Sequence, residues 1–61
     1  MYRYKVWMDG CCLHEDDGFD TEEEATEEAQ AWIEDIMDDW EMEGVLGDTV
    51  ESDFNIETEE Y

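Results

Sequence analysis

The sequence predicts an α+β domain of β-β-α-β order, a three-stranded sheet in spatial order 2-1-3 with one helix packed on one face. Three observations predict it. Asp9-Gly10 sits between two runs of extended-chain residues and is a two-residue hairpin signal, because both turn positions need positive φ. Ala25, Ala29, Trp32, Ile33, Ile36, Met37 and Trp40 recur with the period of one helix face. Phe54, Ile56 and Thr58 alternate with Asn55, Glu57 and Glu59, as a half-buried strand requires.

The hairpin comes first, in "YRYKVWMDGCCLHEDD". Taken literally, the Asp9-Gly10 turn pairs Met8 with Cys11, Val6 with Leu13 and Tyr4 with Glu15. One face then carries Tyr4, Val6, Met8, Cys11 and Leu13 and is the core face. The other carries Arg3, Lys5, Trp7, Cys12, His14 and Asp16, with Arg3 opposite Asp16 in a cross-strand pair worth at most ~1 kcal/mol.

The helix occupies "DTEEEATEEAQAWIEDIMDDWEMEG", from Asp20 to Gly44, in which twelve residues are acidic and none is Lys or Arg. Thr21 with Glu24 three residues on is a capping box, and acids in the first turn suit the helix dipole. Gly44 or Gly47 ends it. Asp38, Asp39, Glu41 and Glu43 oppose the dipole at the far end, and like charges four apart, such as Glu23 and Glu27, cost a few tenths of a kcal/mol each. Nothing local offsets this, so burial of Trp32 and Trp40 is expected to hold the helix, at about 200 Å² of surface each.

The last segment, "SDFNIETEEY", is the third strand. A helix between strands two and three acts as a crossover and makes those strands parallel in direction. Strand three then runs antiparallel to strand one and pairs with it, which gives the order 2-1-3. One sheet face is covered by the helix and the other is left open.

Sixty-one residues allow one domain, spanning 1–61, with a small core. Twenty-two acids against Arg3 and Lys5 give a formal charge of −20. Charge of that size is half of the disorder signature, but three Trp, three Tyr and two Phe in regular patterns contradict the other half. The start has two basic residues and no apolar run of signal length, and no stretch is long enough to cross a membrane, so a cytoplasmic protein is expected. Bare nucleic acid and anionic lipid would be repelled, which excludes direct nucleic-acid or membrane binding and points to basic protein partners.

Candidate chemistry is sparse. Cys11 and Cys12 are adjacent and point to opposite faces of a strand, so they do not readily bond to each other. With His14 they suggest a metal or nucleophilic site, but zinc spacing needs residues between the cysteines and a second ligand pair. In "LHEDDGFDTEEE", placing Gly18 at the sixth position of an EF-hand loop puts Glu15, Asp17 and Glu24 at ligand positions, but Leu13 at the first. The sequence therefore predicts no metal, no cofactor and no catalytic residues.

Two surfaces remain as binding candidates. Glu23, Glu27, Gln30, Glu34, Asp38 and Glu41 run around the outside of the helix, flanked by Glu24, Glu28, Asp35 and Asp39, and Glu23, Glu27, Glu34, Asp35, Asp38 and Glu41 are the candidate partner-binding acids. Successive acids on that face lie ~5–6 Å apart at the helical rise, on the scale of phosphates along one nucleic-acid strand. A rigid carboxylate array imitates a nucleic-acid backbone and would capture a basic partner, such as a nucleic-acid-binding enzyme, with fast electrostatic steering. The plainer account is a solvated face kept for solubility or high salt, although such faces ordinarily mix signs. The alternative surface is the open sheet face, where Trp7, Lys5 and His14 would anchor a protein contact or a homodimer.

The arrangement "YKVWMDG", "FDTEEEATEEA" and "SDFNIETEE" resembles the DpnD/PcfM-like small proteins of phages and mobile elements, in its short opening strand, its Thr-Glu-Glu-Glu-Ala helix start and its closing acidic strand. The resemblance spans most of the chain. It implies a β-β-α-β fold and a mobile-element origin, which suits an inhibitor of host defence nucleases. It implies no catalytic residues.

Overall fold

A computed structural model describes residues 1–61. Strand β1 (Tyr2–Met8) and strand β2 (Cys11–Phe19) form the hairpin, helix α1 (Glu22–Glu43) follows, and strand β3 (Asn55–Glu60) closes the sheet after a single 3-10 turn at Glu51–Asp53. The sheet order is β2-β1-β3, with β1 antiparallel to both neighbours. The predicted fold class and strand order are observed. The turn is as its residues require: Asp9 and Gly10 have φ of 51° and 79°.

The hairpin register is not the regular one. Met8 faces Cys11 and Trp7 faces Cys12, but Val6 faces His14, so Leu13 is an extra residue on β2, a β-bulge. Tyr4 then pairs with Asp16 rather than Glu15. The bulge reverses the alternation of side chains. Leu13, expected in the core, is exposed, and His14, expected on the open face, moves to the covered face. There its ring lies parallel to the Trp32 indole, centroids 4.7 Å apart and planes 7° apart, with the Tyr4 ring 5.7 Å away on another side. This aromatic contact is the physical reason that the register departs from the literal one. A second shift, between Tyr4–Asp16 and Tyr2–Phe19, includes Gly18 at φ 88°, where a side chain would be strained. It returns Phe19 to the covered face, 5.6 Å from the Tyr4 ring. Arg3 likewise finds its carboxylate on the other neighbour: it pairs with Glu59 of β3, not with Asp16.

Helix α1 starts where its sequence requires. Thr21 is extended and its hydroxyl accepts the Glu24 backbone N–H at 3.1 Å. It ends at Gly44, left-handed at φ 76°, with Gly44 N–H donating to Glu41 C=O and Val45 N–H to Trp40 C=O, the paired bonds of a Schellman cap. The closest approach to the sheet is made by Ala25, Ala29 and Ile33, all buried against Tyr4 and Val6, with Phe54 completing the core. The sequence predicts that burial of Trp32 and Trp40 holds the helix, but the fully buried residues are the two alanines and Ile33. Both tryptophans are only half-buried and close the sides of this seam, Trp32 on His14 and Trp40 on Phe54 at 5.8 Å. The reason is steric: two alanines let the helix backbone lie low on the sheet, and large rings fit only at the margins.

Candidate protein-binding surface

The acidic helix side is built by periodicity. Because Ala25, Ala29 and Ile33 face the sheet, residues rotated away from them must face water. Glu23, Glu27, Glu34, Asp35, Asp38 and Glu41 are all exposed. On the helical wheel Glu23, Glu27, Glu34, Asp38 and Glu41 form one ridge, while Asp35 falls about 100° around from Glu34, with Glu24, Glu28 and Asp39. Two acidic ridges therefore run the length of the helix instead of one broad face. The helix carries no basic residue, and the single ion pair of the protein, Arg3–Glu59 at 2.9 Å, lies on the opposite side of the sheet.

The two flanks of the helix differ. Toward β2 the gap is closed by the Trp32–His14 stack. On the other flank, between α1 and the segment that carries Leu46 and Glu51, a groove of about 260 Å³ stays open; its floor is Met37 and Leu46 and its rim is Glu34, Asp38, Glu41 and Glu51. Glu51 was not singled out from the sequence. It arrives on the short 3-10 turn, where Asp53 accepts the Val50 N–H at 3.1 Å, and the signal for that turn is only the Asp three residues after Val50. The helix acids make no hydrogen bond to one another, and Glu22 alone is tied down, accepting from the Thr58 hydroxyl at 3.2 Å.

The open sheet face collects both cations of the chain. Arg3 bridges to Glu59 through Nε and Nη2 at 3.3 and 2.9 Å and lies 5.5 Å over the Tyr61 ring, and the Tyr61 hydroxyl accepts the Gly18 N–H at 2.9 Å. One end of this face is thereby latched across all three strands. The guanidinium pKa is raised, first by its bond to Glu59, so Arg3 stays charged. Lys5 lies between Glu15 and Glu57 in register, and Trp7 between Cys12 and Asn55. Trp7 is half-buried, with its indole N–H enclosed and without an acceptor. His14 does not join Trp7 and Lys5, because the bulge has carried it to the other face.

The same bulge separates Cys12 from His14 as chemical partners. The Cys12 thiol donates to the His14 carbonyl at 3.6 Å, while the imidazole is on the covered side. Cys11 and Cys12 are free and exposed. Glu15, Asp17 and Gly18 lie in β2 and Glu24 in the helix, so the EF-hand spacing does not form a loop, and no group of three or more His, Cys, Asp or Glu converges as metal ligands. No helix is long and apolar enough to cross a membrane.

On the covered face, two phenols sit among carboxylates. Burial first, then Asp16 and Glu28, pushes the Tyr4 pKa up from 10.0, and the Glu60 carboxylate, by hydrogen bonding and by charge, raises that of Tyr2. Comparison with known proteins brought no match: no family model, no curated protein and no solved structure matches the chain.

Proposed function

We propose that this chain is a non-enzymatic, acidic binding protein of the cytoplasm that engages a basic protein surface through α1, imitating a nucleic-acid backbone and inhibiting a DNA- or RNA-binding protein of host defence. The observation that carries this reading is the absence of any basic residue on a 22-residue helix whose outward acids are all solvent-exposed. Such a helix gives up the i, i+4 ion pairs that would stabilise it and suffers like-charge repulsion instead. A surface kept only for solubility has no need of that cost. The resemblance to small phage and mobile-element proteins agrees with an inhibitor of host nucleases. A second reading, a homodimer through the open face, is favoured by one feature, the Trp7 ring and both cations gathered where nothing covers the sheet.

The test removes charge and keeps size. Glu27→Gln, Glu34→Gln and Asp38→Asn together leave the apolar seam untouched. A partner captured from lysate at low salt should be lost from this variant, mainly through a slower association rate. Duplex or single-stranded nucleic acid should displace it from the wild type. Retained affinity in the triple variant, with affinity lost instead in Trp7→Ala, would overturn the helix reading in favour of the open face.

A further inference from the structure

The sheet has two edges, and they are unlike. The outer edge of β2 is broken by two bulges, at Leu13 and at Asp17-Gly18, which interrupt its row of backbone groups. The outer edge of β3 is unbroken: six consecutive residues, Asn55–Glu60, pair one for one with β1. Tyr61 N–H donates to Met1 C=O at 2.9 Å, so by the two-residue period the N–H groups of Asn55, Glu57 and Glu59 point toward β1. Those of Ile56, Thr58 and Glu60, with their carbonyls, point outward with no strand beside them.

Space lies beside this edge. A cleft of about 450 Å³ runs between β3 and the helix, floored by Ile33, Phe54 and Ile56 and edged by Glu51, Ser52 and Asn55. Glu51 also lines the groove rimmed by Glu34, Asp38 and Glu41, so the two hollows are neighbours on the same flank, a channel of two parts that meet at this residue. Its floor is apolar and its rim anionic, and none of the rim carboxylates has a basic partner within the chain.

We infer that this channel takes an extended, lysine- or arginine-rich segment of another protein, which adds to β3 as a fourth strand. This rests on the reading of the chain as a binder of basic proteins and specifies the form of the bound segment. Backbone hydrogen bonds to Ile56, Thr58 and Glu60 supply affinity without side-chain identity. Alternate side chains of the added strand fall toward the helix, where long aliphatic stems cover Ile33, Phe54 and Ile56 while cationic heads reach Glu34, Asp38 and Glu51. Charge decides the occupant. A second copy of this chain pairing edge to edge would set Glu57, Glu59 and Glu60 against their own counterparts, and like charges across a ladder are destabilising.

The test uses the unaltered protein and a peptide of alternating lysine and valine long enough to span the six residues of β3. A second peptide has the same sequence and charge but is N-methylated at every residue, so it has no backbone donors. The parent peptide should slow amide exchange at Ile56, Thr58 and Glu60, and the methylated one should bind about tenfold more weakly or worse. Equal affinity of the two peptides, or protection at β2 instead, would overturn strand addition alone and leave the acidic-helix reading standing. Absence of binding by either peptide at low salt would overturn both.

Discussion

The two faces of this sheet are written by alternate residues of one strand, β1, and they sort charge by sign. Tyr4 and Val6 point to the covered face and are buried under a helix whose charged residues are all acids. Arg3, Lys5 and Trp7 point to the open face, where each cation lies opposite one or two carboxylates. The open face sets both cations against Glu15, Glu57 and Glu59 and is only mildly negative, while the charges of the helix are all negative. A partner drawn by charge meets the helix side first, and the open face offers it little long-range attraction.

The largest break in that contrast is made from the covered side. Ile33→Ala removes a fully buried side chain at the centre of the seam and should cost about 2–5 kcal/mol, comparable to the whole stability of so small a domain. Loss of the cooperative melting transition checks it. Arg3→Ala, the matching change on the open face, breaks only an exposed, solvent-screened ion pair and should leave the melting transition nearly where it is. If the two variants melted alike, the assignment of the core to one face would be wrong.

A smaller effect comes from alkali. Tyr4 and Tyr2 both have raised pKa values in the fold, so the folded chain holds these protons more tightly than the unfolded chain does. Stability from this source is complete below the ordinary phenol pKa of 10.0 and is lost as pH rises through the folded values. The melting temperature should therefore fall as pH is raised above about 10, and fall less in Tyr4→Phe. An equal fall in both would remove Tyr4 from the account.

The smallest predicted effect is the most discriminating for the register. Leu13→Ala should change stability by less than about 0.5 kcal/mol, because the bulge exposes this residue. In an unbulged hairpin Leu13 would face the helix, and the same change would cost several times as much. Chemical denaturation of Leu13→Ala beside His14→Ala, which loses the ring stacked on Trp32, separates the two registers.

The turn at Asp9-Gly10, the Thr21 cap, a glycine stop at Gly44 or Gly47 and the strand order were all legible, because each rests on a local backbone requirement or a plain periodicity. The bulge at Leu13 was not. It is set by the fit of His14 between Tyr4 and Trp32, residues far apart in sequence, and no pattern local to β2 announces it. Gly18 within a strand was an available sign of the second irregularity. Of the candidate site, the helix acids could be placed from the wheel alone. That β3 is an edge follows from the order 2-1-3, but Glu51 could not be placed, since it depends on where a loop of mixed residues brings the chain back after Gly44.

The hydrogen bonds between Met1 and Tyr61 have a mechanical consequence. The two ends of the chain lie side by side at the same end of the β1–β3 ladder, Tyr61 N–H to Met1 C=O at 2.9 Å and the terminal amine to Tyr61 C=O at 3.4 Å. Tension applied between them acts across the strands, not along them. The load falls on one hydrogen bond at a time, from Tyr2–Glu60 inward to Trp7–Asn55, and β3 peels away like a zipper. Shearing the same six pairs would require all of them to yield together. Force applied between Met1 and Tyr61 therefore meets the ladder one pair at a time.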